Sequence, residues 1–531
     1  MKSFILSLLR MYSGHLPGVL VFSFFFIISN MREAKILILL ILLVCTNVKL
    51  FTEEGSVIFI RSVDSTTLEP SKSEEFYSSE VIANIFEGLV RFKKGTLEIE
   101  PCLATRWETR NNHTEWLFYL REGVRFHNNR PLDSDSVVSV FKKELGQEKP
   151  GSKRQWFFFP YIERVEAVEK YVFKITLKKP YAPLLPALTD SAALIVAPES
   201  YQEDGSFNPL GTGPFKFKSW DKGNSLIIER NSDYWDENAT VSSVVFKVVQ
   251  NAAARTLNLR NGNADLMRIN SAVEYEELLG RKDIIIKKDL NPDVHYLAFN
   301  TRKFPLSRVD VRKAFAHLIN KQGMIKHVFQ TMAVPAVTPI PPSLFGFNKS
   351  IKDYRFDIPK ARELMKNAGL ESGFSVNLFI AAKNVGQQKI ANIITINAKY
   401  LNVRINQIKL PFAELVRRCD KGEHDIVLLG WVGPPDPDFF LYPLFTMKPG
   451  NKNRAFYQNR ELSALLEKAK VTLNPEKRLQ YYWRAQEMIH EDLPWIPLFH
   501  QESLVAFHNN LENLVINPNT YIEFKYLSKN N

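Results

Sequence analysis

From about Ser56 onward the sequence switches repeatedly between period-two and period-3.6 apolar patterns, with no long linker and no internal repeat. This alternation is the strongest constraint on the fold. Strands that bury one face and helices that bury one stripe must pack as layers, so the chain is predicted to be α/β with two or more lobes. Val172-Phe173-Lys174-Ile175-Thr176-Leu177 alternates apolar and polar side chains, and Trp116 to Leu120 and Leu226 to Ile228 read the same way. Helix signals become commoner in the second half. Asp357 is placed to cap a helix with Pro359 in its first turn; Ala361, Leu364, Met365 and Ala368 fall at i, i+3, i+4 and i+7, and Gly369 closes it. Val311, Ala314, Phe315 and Leu318 repeat the stripe, and Asn474-Pro475 opens a helix through Leu479, Tyr482 and Ile489 that ends near Pro494.

Composition fixes the class. With 531 residues, 45% hydrophobic and 12% aromatic, the chain has enough apolar surface for real cores, and three cysteines cannot build a disulfide scaffold. Cys102 and Cys419 are far apart in sequence and are expected to be buried free thiols. The net charge of +12 is spread along the chain. No basic run interleaved with stacking aromatics, zinc-finger spacing or helix-turn-helix signature accompanies it, so no nucleic-acid partner is expected.

The first 45 residues differ from the rest. Two apolar stretches, Leu16 to Ser29 and Ile36 to Val44, flank Met31-Arg32-Glu33-Ala34-Lys35, and neither reaches the ~18 residues of a membrane span. A short basic segment followed by Ile36 to Val44 has the dimensions of a secretory leader. Residues 1–30 are therefore read as an upstream extension with Met31 as the natural start, and residues 31–52 as a signal peptide or lipoprotein signal. Cys45 ends the apolar run where a bacterial lipoprotein carries its lipidated cysteine; the alternative is ordinary cleavage a few residues later.

Several separated motifs then resemble one family, the bacterial extracellular solute-binding proteins of the peptide/nickel class (family 5) that serve ABC importers. In order they are Glu87-Gly88-Leu89-Val90, Pro101 to Trp107, Trp116 to His127, Gly211-Thr212-Gly213-Pro214-Phe215, Asn231 to Trp235 and Asn261 to Asp265. Phe299-Asn300-Thr301, Asp310 to Phe315, Lys360 to Gly369 and Asp436-Pro437-Asp438-Phe439-Phe440 complete the series. Read alone, these residues have structural roles: Gly211 and Gly213 serve a tight turn, Trp107 and Trp116 pack in the core, and Arg121 makes a buried ion pair.

The resemblance implies a two-lobed periplasmic-binding-protein-like α/β fold of type II, with an extra subdomain in the first lobe and the ligand cleft between lobes. Lobe I is placed at 53–288 with a return at 505–531, the extra subdomain at about 78–205, and lobe II at 289–504. It also implies a monomer that closes around a peptide and delivers it to a membrane permease from the periplasm or cell envelope, with no cofactor and no catalysis. In such relatives an aspartate for the ligand's amine commonly lies three residues after the tryptophan of the segment matching Gly430 to Asp438. Here that position is Pro434, which leaves Asp436 and Asp438 as the nearest carboxylates and Trp431 as a cleft-lining side chain. The alternative is a Pro-rich turn in which both aspartates bond backbone amides. Dipeptide-binding relatives carry an arginine near Ala381; Lys383 is the closest cation here, a less directional clamp for a carboxylate.

Two other readings compete. For an enzyme the constellations are missing: His490-Glu491 lacks the second histidine of a zinc protease, and no Gly-x-Ser-x-Gly elbow or phosphate-binding glycine loop occurs. The same fold with a nickel chelate or haem is the closer rival, although His127, His295, His317 and His500 are not spaced as a metal cluster.

Overall fold

The structure is a computed structural model and describes residues 55–146, 159–447 and 452–530. Cys45 and the expected leader at 31–52 lie outside the described residues. The body of the fold is the compact unit Val57–Asn531.

Its backbone is one mixed 12-stranded sheet. One half runs Arg404–Leu410, Ser375–Ala381, Ile426–Val432, Asp293–Phe299; the other runs Leu266–Ile269, Ser56–Arg61, Ser243–Val248, Ser225–Arg230, Phe215–Asp221. Between them lies the 14-residue strand Trp495–His508, the crossing strand. It pairs antiparallel with Asp293–Phe299 at one end and with Ile284–Leu290 at the other, and those two strands are joined by Asn291-Pro292. The main chain therefore passes between the halves in two adjacent antiparallel runs. A separate four-stranded sheet orders Ala104–Arg110, Glu115–Leu120, Val172–Leu177 and Ile162–Glu169.

The helix signals act locally as expected. Asp357 accepts the Lys360 N–H at 2.8 Å and starts the helix Ile358–Asn367, Gly369 sits beyond its end at φ +67°, and Asn474 accepts the Lys477 N–H at 2.9 Å to start Pro475–Asp492. Val311, Ala314 and Phe315 of Val309–His317 are fully buried against the first half of the sheet, beside Phe299 and Leu498.

The front motifs meet at one carboxylate. Glu87 is buried and accepts hydrogen bonds from Tyr234 Oη at 2.6 Å, Trp235 Nε1 at 2.8 Å and Thr212 Oγ1 at 2.9 Å, with Cys102 Sγ at 3.7 Å. Burial pushes its pKa up, opposed by these donors. One detail of the sequence reading is sharpened and one differs. Gly211 and Gly213 are needed for close approach and not for a left-handed turn: a Cβ on either would come within 2.0 and 2.6 Å of the Ile85 carbonyl oxygen, which also accepts the Gly213 N–H at 3.0 Å. Among the described residues Arg121 makes no ion pair; it lies over the Trp235 ring at 4.5 Å and donates to the Cys102 carbonyl at 3.3 Å. Cys102 and Cys419 are buried free thiols, and Trp116 is buried.

Candidate ligand-binding site

A cavity of about 850 Å³ lies against the two crossing runs. Asn291, Pro292 and Asp293 line it from one run and Gln501 to Leu504 from the other. The size falls in the range of roughly 300–1,000 Å³ that suits small ligands.

The wall from the second half of the sheet carries polar groups, and several charged groups of the cavity are already engaged. Arg268 is buried, paired with Glu80, and donates to Thr520 O at 2.7 Å and Ser503 Oγ at 2.5 Å. Asp190 accepts the Ala192 N–H at 3.0 Å, and Asp293 accepts the Gln501 N–H at 2.9 Å.

The opposite wall is apolar with two cations. Phe412 and Val432 remain 64% and 63% exposed, and Val416 lies one helical turn beyond Phe412 on the helix Phe412–Asp420. Large apolar side chains left so open inside a concave site favour an apolar ligand group. Trp431 lines the cavity, half-buried, its ring fixed by Nε1 donating to the Phe439 carbonyl at 2.8 Å. The strand Ile426–Val432 pairs with Asp293–Phe299 along its length, but with Ser375–Ala381 only at Ile426 and Val427. Gly430 and Val432 therefore border the cavity on a sheet edge with no neighbouring strand among the described residues.

Of the residues singled out from sequence, Trp431 is at the cavity, whereas Asp436, Asp438 and Lys383 are not among its lining residues. Asp436 is buried in a two-pronged pair with Arg478, at 2.6 and 2.7 Å, and also accepts the Asp438 N–H at 2.9 Å. Asp438 lies behind it, fully buried, with Lys470 Nζ 3.8 Å from one oxygen and no hydrogen bond to the other. Burial, opposed by Lys470 and aided by the like charge of Asp436, pushes its pKa up to about 6. Asp436 thus bonds one nearby backbone amide and one distant arginine. Lys383 is exposed at the end of Ser375–Ala381.

Sequence reasoning missed Arg454, Lys452 and the Phe412/Val416 pair. The available signal was two apolar residues at i, i+4 on a short helix otherwise rich in charge; nothing in Asn453 to Tyr457 marked Arg454 as a cavity residue.

The histidines are tied up in the fold. His127 contacts Gly211 N and Gly213 O, His500 Nδ1 lies 2.6 Å from Asp293 O, His317 Nδ1 lies 2.7 Å from Arg355 O, and His295 stacks on Phe499. Burial lowers the pKa of His127 and His500 to about 4. Among the described residues no group of three or more His, Cys, Asp or Glu could hold a metal ion.

Residues 98–452, about two thirds of the chain, match the family described as bacterial extracellular solute-binding proteins, family 5 middle. The chain belongs to this family. It is 29% identical to heme-binding protein A of Haemophilus influenzae, over 83% of this chain and 86% of that protein. It is 28% identical to the dipeptide-binding protein of Escherichia coli, over 82% of this chain and 87% of that protein. Its fold matches the periplasmic binding protein DppA of Helicobacter pylori, solved with the peptide STSA, at a TM-score of 0.77 and 30% identity, covering 90% of this chain and 98% of that one. The match extends over both halves of the sheet, so this family 5 chain has the periplasmic-binding-protein α/β fold expected from its motifs.

Proposed function

We propose that the protein is the substrate-binding component of an ABC importer: it captures a short peptide in the cavity and presents it to a membrane permease. The observation that carries this is the open sheet edge at Gly430 and Val432 beside an apolar wall within a cavity of about 850 Å³. An extended peptide laid along such an edge gains main-chain hydrogen bonds whatever its sequence, and pockets accept alternate side chains. The two halves of the sheet act as lobes, 53–288 with 505–531 and 289–504, which close by hinging at the two crossing runs. The protein works without catalysis or a resident cofactor. It acts in the periplasm or cell envelope, and Cys45 is its lipid anchor.

Native mass spectrometry of the gently purified protein, followed by denaturation to release its cargo, tests the reading. Heterogeneous short peptides are the expected cargo. A single haem or metal chelate would keep the fold and overturn the substrate; the heme-binding relative makes that the second reading.

A further inference from the structure

The cations of the cavity are not equivalent. Arg268 uses its guanidinium on Glu80, Thr520 O and Ser503 Oγ. Arg454 is also largely buried, with its side chain 10% exposed, but only its Nε is engaged, at 2.9 Å from Asp420 Oδ1. Its two terminal nitrogens have no hydrogen-bond partner among the described residues. Its backbone is held on both sides: the Arg454 N–H bonds Lys452 O at 2.8 Å, and the Arg454 carbonyl lies 2.8 Å from His424 Nε2. Lys452 lines the same cavity, half-exposed, and its ammonium has no ion pair among the described residues.

A guanidinium oriented through Nε, with both terminal nitrogens left open to the cavity, is arranged to meet an anion with two acceptor atoms. Phe412, Val416 and Leu429 line the same cavity and carry no acceptor side chain.

Resting on the peptide reading, we infer that Arg454, with Lys452 beside it, is the anion-binding end of the cleft and takes a carboxylate of the bound peptide. This places the carboxylate contact against the helix Phe412–Asp420, and not at Lys383. It also gives the ligand a direction, with its carboxylate beyond Trp431 and an apolar group on Phe412.

The test uses the full chain and a pool of Ala-X-Ala tripeptides with every natural residue at X, presented as free acids and as C-terminal amides, with binding read by native mass spectrometry and calorimetry. The wild-type protein is expected to prefer acids over amides by about tenfold or more, the scale of a charge-assisted hydrogen-bond pair. Arg454→Gln should erase that preference while leaving amide binding, Arg454→Lys should restore part of it, and Lys452→Gln should lower it less. A thermal midpoint for each variant separates lost folding from lost recognition. Selection of amides with X = Glu, lost in Arg454→Gln, would assign the carboxylate to a side chain instead of the terminus. An acid preference that survives Arg454→Gln overturns the subsite and leaves the peptide reading standing. If neither pool binds wild type, both fall.

Discussion

Glu87 and the Asp436–Asp438 pair are both buried acids drawn from motif segments, yet the protein satisfies them in opposite ways. Glu87 is surrounded by neutral donors, the hydroxyls of Tyr234 and Thr212 and the indole of Trp235, drawn from two separate stretches of the chain. Asp436 is satisfied by the full charge of Arg478, while Asp438 keeps one oxygen without a hydrogen bond and a lysine 3.8 Å from the other. Neutral donors distribute the cost of burial over several small contacts. A pair of opposite charges concentrates it in one partner, so its loss is abrupt.

The comparison is broken most severely at Arg478. Arg478→Met leaves Asp436 buried and unpaired, and the expected loss is about 3–5 kcal/mol in urea unfolding. A loss no greater than for a surface substitution would show that water reaches the pair. Next comes pH. The folded-state pKa of Asp438, about 6, lies above its ordinary 3.8, so the folded protein holds the proton more tightly. The stability from this group is present below about 3.8 and is lost as pH rises through about 6, by up to roughly 3 kcal/mol. Asp438→Asn should therefore gain on wild type as pH is raised from 4.5 to 7.5; a constant difference, or one of the other sign, counts against this. Glu87→Gln comes third. An amide turns one acceptor oxygen into a donor that faces the two donors on that oxygen, Tyr234 and Cys102 or Thr212 and Trp235, for about 1–3 kcal/mol, and the urea midpoint should move less than for Arg478→Met. The smallest effect is at Lys383, exposed and away from the cavity: Lys383→Gln should leave stability within about 0.5 kcal/mol and peptide affinity unchanged. A tenfold loss of affinity there would return the carboxylate contact to the end of Ser375–Ala381.

The sequence disclosed what is local. Capping by Asp357 and Asn474, the apolar stripe of Val309–His317 and the alternating strand Val172–Leu177 depend on neighbours a few residues away, and they appear in the structure where the pattern puts them. Glu87 could be quoted as part of a motif, but its partners at 102, 212, 234 and 235 come together only through the tertiary fold. The candidate site divides on the same line. Trp431 was legible because its segment resembled a known one, whereas Asp436 looked available because Arg478, 42 positions later, gives no sign in one dimension that it folds back on it. Arg454 escaped notice for the converse reason: what distinguishes it is the absence of partners for two of its nitrogens, and no sequence pattern encodes an absence.

The crossing strand Trp495–His508 also dictates the order in which the molecule can be completed. The strands Leu266–Ile269, Ile284–Leu290, Asp293–Phe299 and Ala333–Pro335, drawn from both sides of the sheet, have a neighbour in residues 495–508, so neither half can close its hydrogen-bond ladder until nearly the whole chain is available. Contacts of such long sequence separation are slow to form. A chain emerging residue by residue would therefore stay unfinished through most of its synthesis, the condition in which a polypeptide can still be threaded through a narrow channel or held by a chaperone before it sets.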